Sequence, residues 1–138
     1  MAVYIIEGST PLHGNIRVHG AKNAALPVLA AALLPPESEI EGCPRLSDTA
    51  AAMNILRSLG CRVEQQPDNT AQVDSRSAQG WEIPESCMRE MRSSIIFLGA
   101  ILTRYGRARV SFPGGCELGP RPIDLHLAAL RKLGVAIR

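Results

Sequence analysis

The chain has 138 residues with 46% apolar and 20% charged side chains, which suits one globular domain and excludes a disordered or fibrous protein. Only 4% of residues are aromatic, so the core has to be built from aliphatic side chains. A net charge of +2 is too small to imply a nucleic-acid or membrane partner, so any anion site needs a local cluster of cations.

In chain order, VYIIEG and NIRVHG alternate apolar and polar residues and predict two short strands joined by a turn at residues 11–14. Residues 22–34 predict a helix ended by Pro35 and Pro36, and EIEGC a strand. The apolar run AALPVLAAALL after Lys22 imitates a signal peptide. Polar sequence precedes it, Pro27 interrupts it, and it is too short to span a bilayer, so a buried helix is the better reading. A second helix follows Asp48, with Ala51, Ile55 and Leu59 on one face and a stop at Gly60. CRVEQQ and TAQVDS predict a hairpin around PDN. A longer helix is expected from Pro84 to Gly106, then a strand in RARVSF. The last helix has Pro122 near its first position and Gly134 after its end.

The chain also matches itself. ILRSLGCRVE pairs with ALRKLGVAIR, PRLSD with PRPID, and KNAALPVLAAALL with RSSIIFLGAILTR, each roughly 70 to 76 residues apart and in the same order. Two copies of a helix–strand–helix–strand unit, at about 21–80 and 81–138, predict an α/β fold of two-layer repeats with helices on one face of a sheet. The hairpin that completes the first unit has no counterpart in the second, so the chain is expected to be truncated.

Lys22 and Arg92 fall at equivalent helix starts, as do Arg45 and Arg121. Free N–H groups and the helix dipole already favour anions there, and a cation strengthens the effect. Cys116 lies in the glycine-rich PGGCELG turn, five residues before Arg121. By residue type alone it is either a small apolar filler or a thiol placed for chemistry. Cys43, Cys61 and Cys87 form no CxxC pair, show no zinc-ligand spacing, and read as reduced core thiols of a cytoplasmic protein. Taken singly, Lys22 is a solvated charge, Arg92 a surface ion-pair partner and Asp124 a helix cap. His13, His19 and His126 receive no role.

GAKNAALP at 20–27, EMRSSI at 90–95 and PGGCELGPRPIDLHL at 113–127 together resemble the enolpyruvyl transferase family, on the branch of the UDP-N-acetylglucosamine 1-carboxyvinyltransferases. The resemblance implies an inside-out α/β barrel made of such repeats, in two domains with the active site between them. Residues 1–20 would then be strands packing on the other domain, and 21–138 part of one domain. It also implies transfer of the enolpyruvyl group of phosphoenolpyruvate to the 3-hydroxyl of UDP-N-acetylglucosamine with release of phosphate, the first committed step of peptidoglycan synthesis.

Carried over by position, the resemblance makes Cys116 the catalytic thiol, which protonates the enolpyruvyl carbon and is alkylated by fosfomycin. Lys22, Asn23 and Arg121 become contacts to phosphoenolpyruvate. Arg92 and the run Arg121, Pro122, Ile123, Asp124 and Leu125 become contacts to UDP-N-acetylglucosamine. No metal, organic cofactor, nucleic acid or membrane enters. Glu117 departs from the alanine common in the family and places a carboxylate beside the thiol. The aspartate base and another arginine lie beyond residue 138, so these residues by themselves are expected to be inactive.

The chemistry suits the residues. A donor with a phosphate and a carboxylate needs several cations. A positioned general acid contributes roughly 10² to 10⁴ in rate. A thiol near cations titrates below its ordinary value of about 8.5 and is also a nucleophile. Gly114, Gly115 and Gly119 would let the loop close over substrate. Two other readings compete: an enolpyruvyl transferase with another acceptor such as shikimate 3-phosphate, and a non-catalytic anion- or RNA-binding α/β module. Sparse aromatics and low charge weigh against the last.

Overall fold

The computed structural model of the protein describes residues 3–8, 11–113 and 122–138. Its first unit follows the expected plan. Helix α1 (Lys22–Ala31) is succeeded by strand β1 (Glu37–Ile40), helix α2 (Ser47–Ser58) and strands β2 (Arg62–Gln65) and β3 (Ala71–Asp74). The sheet order is β1-β3-β2, with β3 antiparallel to both neighbours. Thus β1–α2–β2 is a crossover between two parallel strands, and the hairpin partner β3 fills the gap between them. Alternation gives the sheet two faces. Val63, Ala71 and Val73 are buried, whereas Glu37, Glu39, Arg62, Glu64 and Gln72 face outward.

Local signals explain these boundaries. Gly60 at φ +95° ends α2, and Asn69 at φ +69° makes the tight turn between β2 and β3. Helix α1 ends three residues short of the expected Leu34; its last turn tightens, with Leu34 donating to the Ala31 carbonyl at 2.9 Å. The core is aliphatic around Phe97, with Leu29, Leu33, Ile55, Leu56, Leu59 and Ile101 fully buried.

The second unit departs from expectation in three places. The long helix predicted from Pro84 to Gly106 is interrupted. Helix α3 (Glu85–Glu90) stops at Met91, which is extended at φ −141° and ψ 132°; a 3₁₀ turn (Arg92–Ile96) and helix α4 (Phe97–Tyr105) follow. The break puts both Met88 and Met91 into the core, and the Ser94 hydroxyl donates to the freed Met88 carbonyl at 3.1 Å. RARVSF forms only a parallel bridge between Glu82 and Arg109, with Ile83 donating to the Arg109 carbonyl at 3.0 Å. Helix α5 (Asp124–Lys132) is present, but none of its residues is buried.

VYIIEG and NIRVHG are the remaining difference. Over the described residues 3–8 and 11–20 the backbone forms no ladder, and Val3, Tyr4, Ile5, Ile6, Leu12, Ile16 and Val18 are exposed. Alternation alone does not make a strand without a neighbour to pair with.

One arginine joins the two units. The Arg104 guanidinium, from α4, donates to the Ser75 hydroxyl and the Ser75 carbonyl at 2.7 Å each and to the Leu33 carbonyl; the Ser75 hydroxyl donates to the Pro35 carbonyl at 2.6 Å. It satisfies the carbonyls where α1 and β3 end, which sequence reasoning did not anticipate.

Candidate functional site

The site begins where α1 does. The segment before it lies against the turn after β1, so closely that a Cβ on Gly20 would sit 2.2 Å from the Gly42 carbonyl oxygen. Only glycine fits there, which accounts for the first letter of GAKN. Lys22 and Asn23 then occupy the first turn of α1. Pro27, inside the helix, has no N–H to give the Asn23 carbonyl, which therefore lacks its usual donor.

The start of α2 is fixed beside it. Thr49 accepts from the Leu46 N–H at 3.0 Å and donates to the Pro44 carbonyl at 2.6 Å. Asp48, in the same first turn, pairs with Lys22, its carboxylate Oδ2 standing 2.8 Å from the ammonium Nζ. Helix α1 packs on α2 and on the 3₁₀ turn that opens with Arg92. Arg92 is half-buried, and its Nη2 is buried with no hydrogen-bond partner among the described residues. A guanidinium N–H in that state costs free energy until an acceptor reaches it.

The structure therefore places Lys22 and Asn23 in the first turn of α1, and Arg92 on the 3₁₀ turn that packs against that helix. At the beginning of α5, Pro122, Asp124 and Leu125 are exposed, and Ile123 is half-buried. Cys116, Glu117 and Arg121 lie outside the described residues. Arg45 is not available as the cation expected at the α2 start. Its Nε donates to Asn69 Oδ1 at 3.2 Å and its Nη2 to the Gln66 carbonyl at 2.7 Å, so it holds the hairpin turn instead. The Lys22–Asp48 pair went unread in the sequence, although the match of PRLSD to PRPID had set Asp48 level with Asp124.

The other thiols are packing groups. Cys43 and Cys61 are buried, and burial raises both above the usual thiol value, Cys61 to about 11 despite the nearby Arg104 charge. Cys87 is half-buried against the core. No group of three or more His, Cys, Asp or Glu among the described residues is arranged to hold a metal ion. No helix among them is long and apolar enough to cross a membrane.

Residues 6–138 match the family described as EPSP synthase (3-phosphoshikimate 1-carboxyvinyltransferase). The chain belongs to this family. Among its relatives, UDP-N-acetylglucosamine 1-carboxyvinyltransferase 2 of Caldanaerobacter subterraneus subsp. tengcongensis is 48% identical over 99% of this chain and 33% of its own length. UDP-N-acetylglucosamine 1-carboxyvinyltransferase of Cellvibrio japonicus is 43% identical over 99% of this chain and 33% of its own. The chain thus spans about a third of the length of the curated relatives it matches. In three dimensions it is similar to the enolpyruvyl transferase NikO from Streptomyces tendae, with a TM-score of 0.77 and 28% identity, covering 94% of this chain and 28% of that one. The repeated α/β architecture read from the sequence is the fold of the EPSP synthase family.

Proposed function

We propose that the intact protein transfers the enolpyruvyl group of phosphoenolpyruvate to the 3-hydroxyl of UDP-N-acetylglucosamine and releases phosphate. The observation that carries this reading is the run of relatives named UDP-N-acetylglucosamine 1-carboxyvinyltransferase, matched at 42–48% identity over essentially the whole chain. The reading places the reaction in the cytoplasm as the first committed step of peptidoglycan synthesis, serving cell-wall growth, cell shape and division.

In this mechanism Lys22, Asn23 and Arg121 hold the phosphate and carboxylate of phosphoenolpyruvate. The start of α1 suits that task, because a lysine and free helical N–H groups converge there. Arg92 and the stretch Arg121, Pro122, Ile123, Asp124 and Leu125 hold the nucleotide sugar; the unpartnered Nη2 of Arg92 supports an acceptor arriving from a ligand. Cys116 gives its proton to the methylene carbon while the sugar hydroxyl attacks the adjacent carbon. The attacking hydroxyl gives up its proton to a base, and loss of phosphate together with one proton of the new methyl group then yields the enol ether. As a thiolate, Cys116 is also the group that fosfomycin alkylates.

The test is phosphate release by the intact protein with both substrates. Turnover with UDP-N-acetylglucosamine is expected; turnover with shikimate 3-phosphate instead would overturn the acceptor assignment. Mass spectrometry after fosfomycin treatment is expected to find the added mass on the peptide containing Cys116. Its absence from that peptide would remove the role given to the thiol.

A further inference from the structure

We infer that Asp48 is a positioning residue, orienting the Lys22 ammonium and through it the anionic donor. The inference rests on the reading of Lys22 as a contact to phosphoenolpyruvate and adds a group to that site. The carboxylate and ammonium are 2.8 Å apart, with side-chain exposures of 29% for Asp48 and 45% for Lys22. An isolated surface pair of that kind is worth little. Here, however, both ends are anchored on fixed helix starts. The α1 start is held where Gly20 meets the Gly42 carbonyl, and the α2 start by the Thr49 hydroxyl; Leu26, Leu29, Ile55 and Leu56 are buried beneath them.

A lysine is a compact charge on a flexible stem, and its three donors have no fixed direction of their own. Pairing with Asp48 fixes the head group, and Lys22 has no other ion-pair partner among the described residues. Two N–H donors are left for a substrate anion in a defined orientation, which is how a positioning contact lowers a barrier. Asp124 stands level with Asp48 in the second unit, so the internal repeat puts an acid at both helix starts.

A carboxylate beside an anion site also repels the anion. The two effects have opposite signs, and steady-state kinetics of the intact protein separate them. Asp48→Asn is expected to raise the KM for phosphoenolpyruvate about tenfold, the scale of one charge-assisted hydrogen bond. The KM for UDP-N-acetylglucosamine should stay unchanged. Asp48→Glu should recover part of the loss, and the double variant Lys22→Ala with Asp48→Asn should be no worse than Lys22→Ala alone.

An unchanged or lowered KM for phosphoenolpyruvate in Asp48→Asn would overturn the inference while leaving Lys22 in place. So would equal losses on both substrates accompanied by a lower melting temperature, which mark a structural role. If Lys22→Ala itself leaves that KM unchanged, the fault lies in the reading of Lys22. Should Asp48→Asn not fold, the kinetics of Asp48→Glu decide: a KM change confined to phosphoenolpyruvate supports the role, and none removes it.

Discussion

The two repeats start from one pattern and end in different states. In the first, Leu56 and Leu59 of the α2 segment are fully buried; in the second their counterparts are Leu130, half-buried, and Leu133, 80% exposed. Both helices carry an apolar stripe and a glycine stop, with Gly60 and Gly134 at φ +95° and +90°. What separates them is cover. In the first unit β3 lies between β1 and β2 and completes a sheet for the helices to rest on. Among the described residues of the second unit, the strand pairing is limited to the bridge between Glu82 and Arg109. An amphipathic stripe specifies a helix, but its stability comes from the surface that covers the stripe.

That contrast is open to direct attack by truncating matched leucines in the 138-residue chain. Leu59→Ala should cost about 2–5 kcal/mol, the range for emptying a fully buried leucine site. Leu133→Ala should stay within about 0.5 kcal/mol, as surface changes do. Denaturant unfolding gives both values. Similar losses at the two positions would mean that α5 is packed as firmly as α2.

The second expected effect concerns how each unit enters its first helix. In the first unit Gly20 passes under the Gly42 carbonyl, whereas Glu90, at the matching place in the second, is exposed at the end of α3. Gly20→Ala places a carbon 2.2 Å from backbone oxygen, so the backbone must move. A loss of about 1–3 kcal/mol follows, the usual cost of overpacking. Glu90→Ala should be close to silent. Thermal unfolding of the two variants checks the pair, and an unaffected Gly20→Ala would show that the 18–21 segment is not held against the turn.

The sequence was most readable where the determinants are local. Gly60 ends α2, PDN makes the β2–β3 turn, and alternation in TAQVDS gives the buried Ala71 and Val73. It was least readable where a distant contact decides. The break at Met91 puts Met88 and Met91 both into the core, and VYIIEG and NIRVHG alternate while their described residues form no ladder. The site shows the same division. Lys22 and Asn23 are marked by a contiguous motif, whereas Lys22–Asp48 and Arg104–Ser75 join segments far apart in the chain.

The smallest effect comes from the outer face of the first unit's sheet, and it tests whether β3 is tied to β1 by charge as well as by its ladder. Asp74 accepts from Arg76 at Nε, Nη2 and the backbone N–H at 3.0, 2.8 and 3.0 Å, and the same guanidinium pairs with Glu37, the cross-strand partner of Asp74, at 2.6 Å. The side-chain hydrogen bonds of Arg76, and then its backbone N–H, hold the Asp74 carboxyl at about 2, below its ordinary 3.8. As pH falls the unfolded chain takes up this proton first. The stabilisation is therefore whole above about pH 4 and is lost between about 4 and about 2. Because Arg76 and Glu37 are exposed and Asp74 is only partly covered, salt should shrink the effect. Asp74→Asn should flatten that part of the stability profile at low ionic strength and change little in concentrated salt. An acid limb identical in the variant and the parent would leave backbone pairing alone to hold β3 against β1.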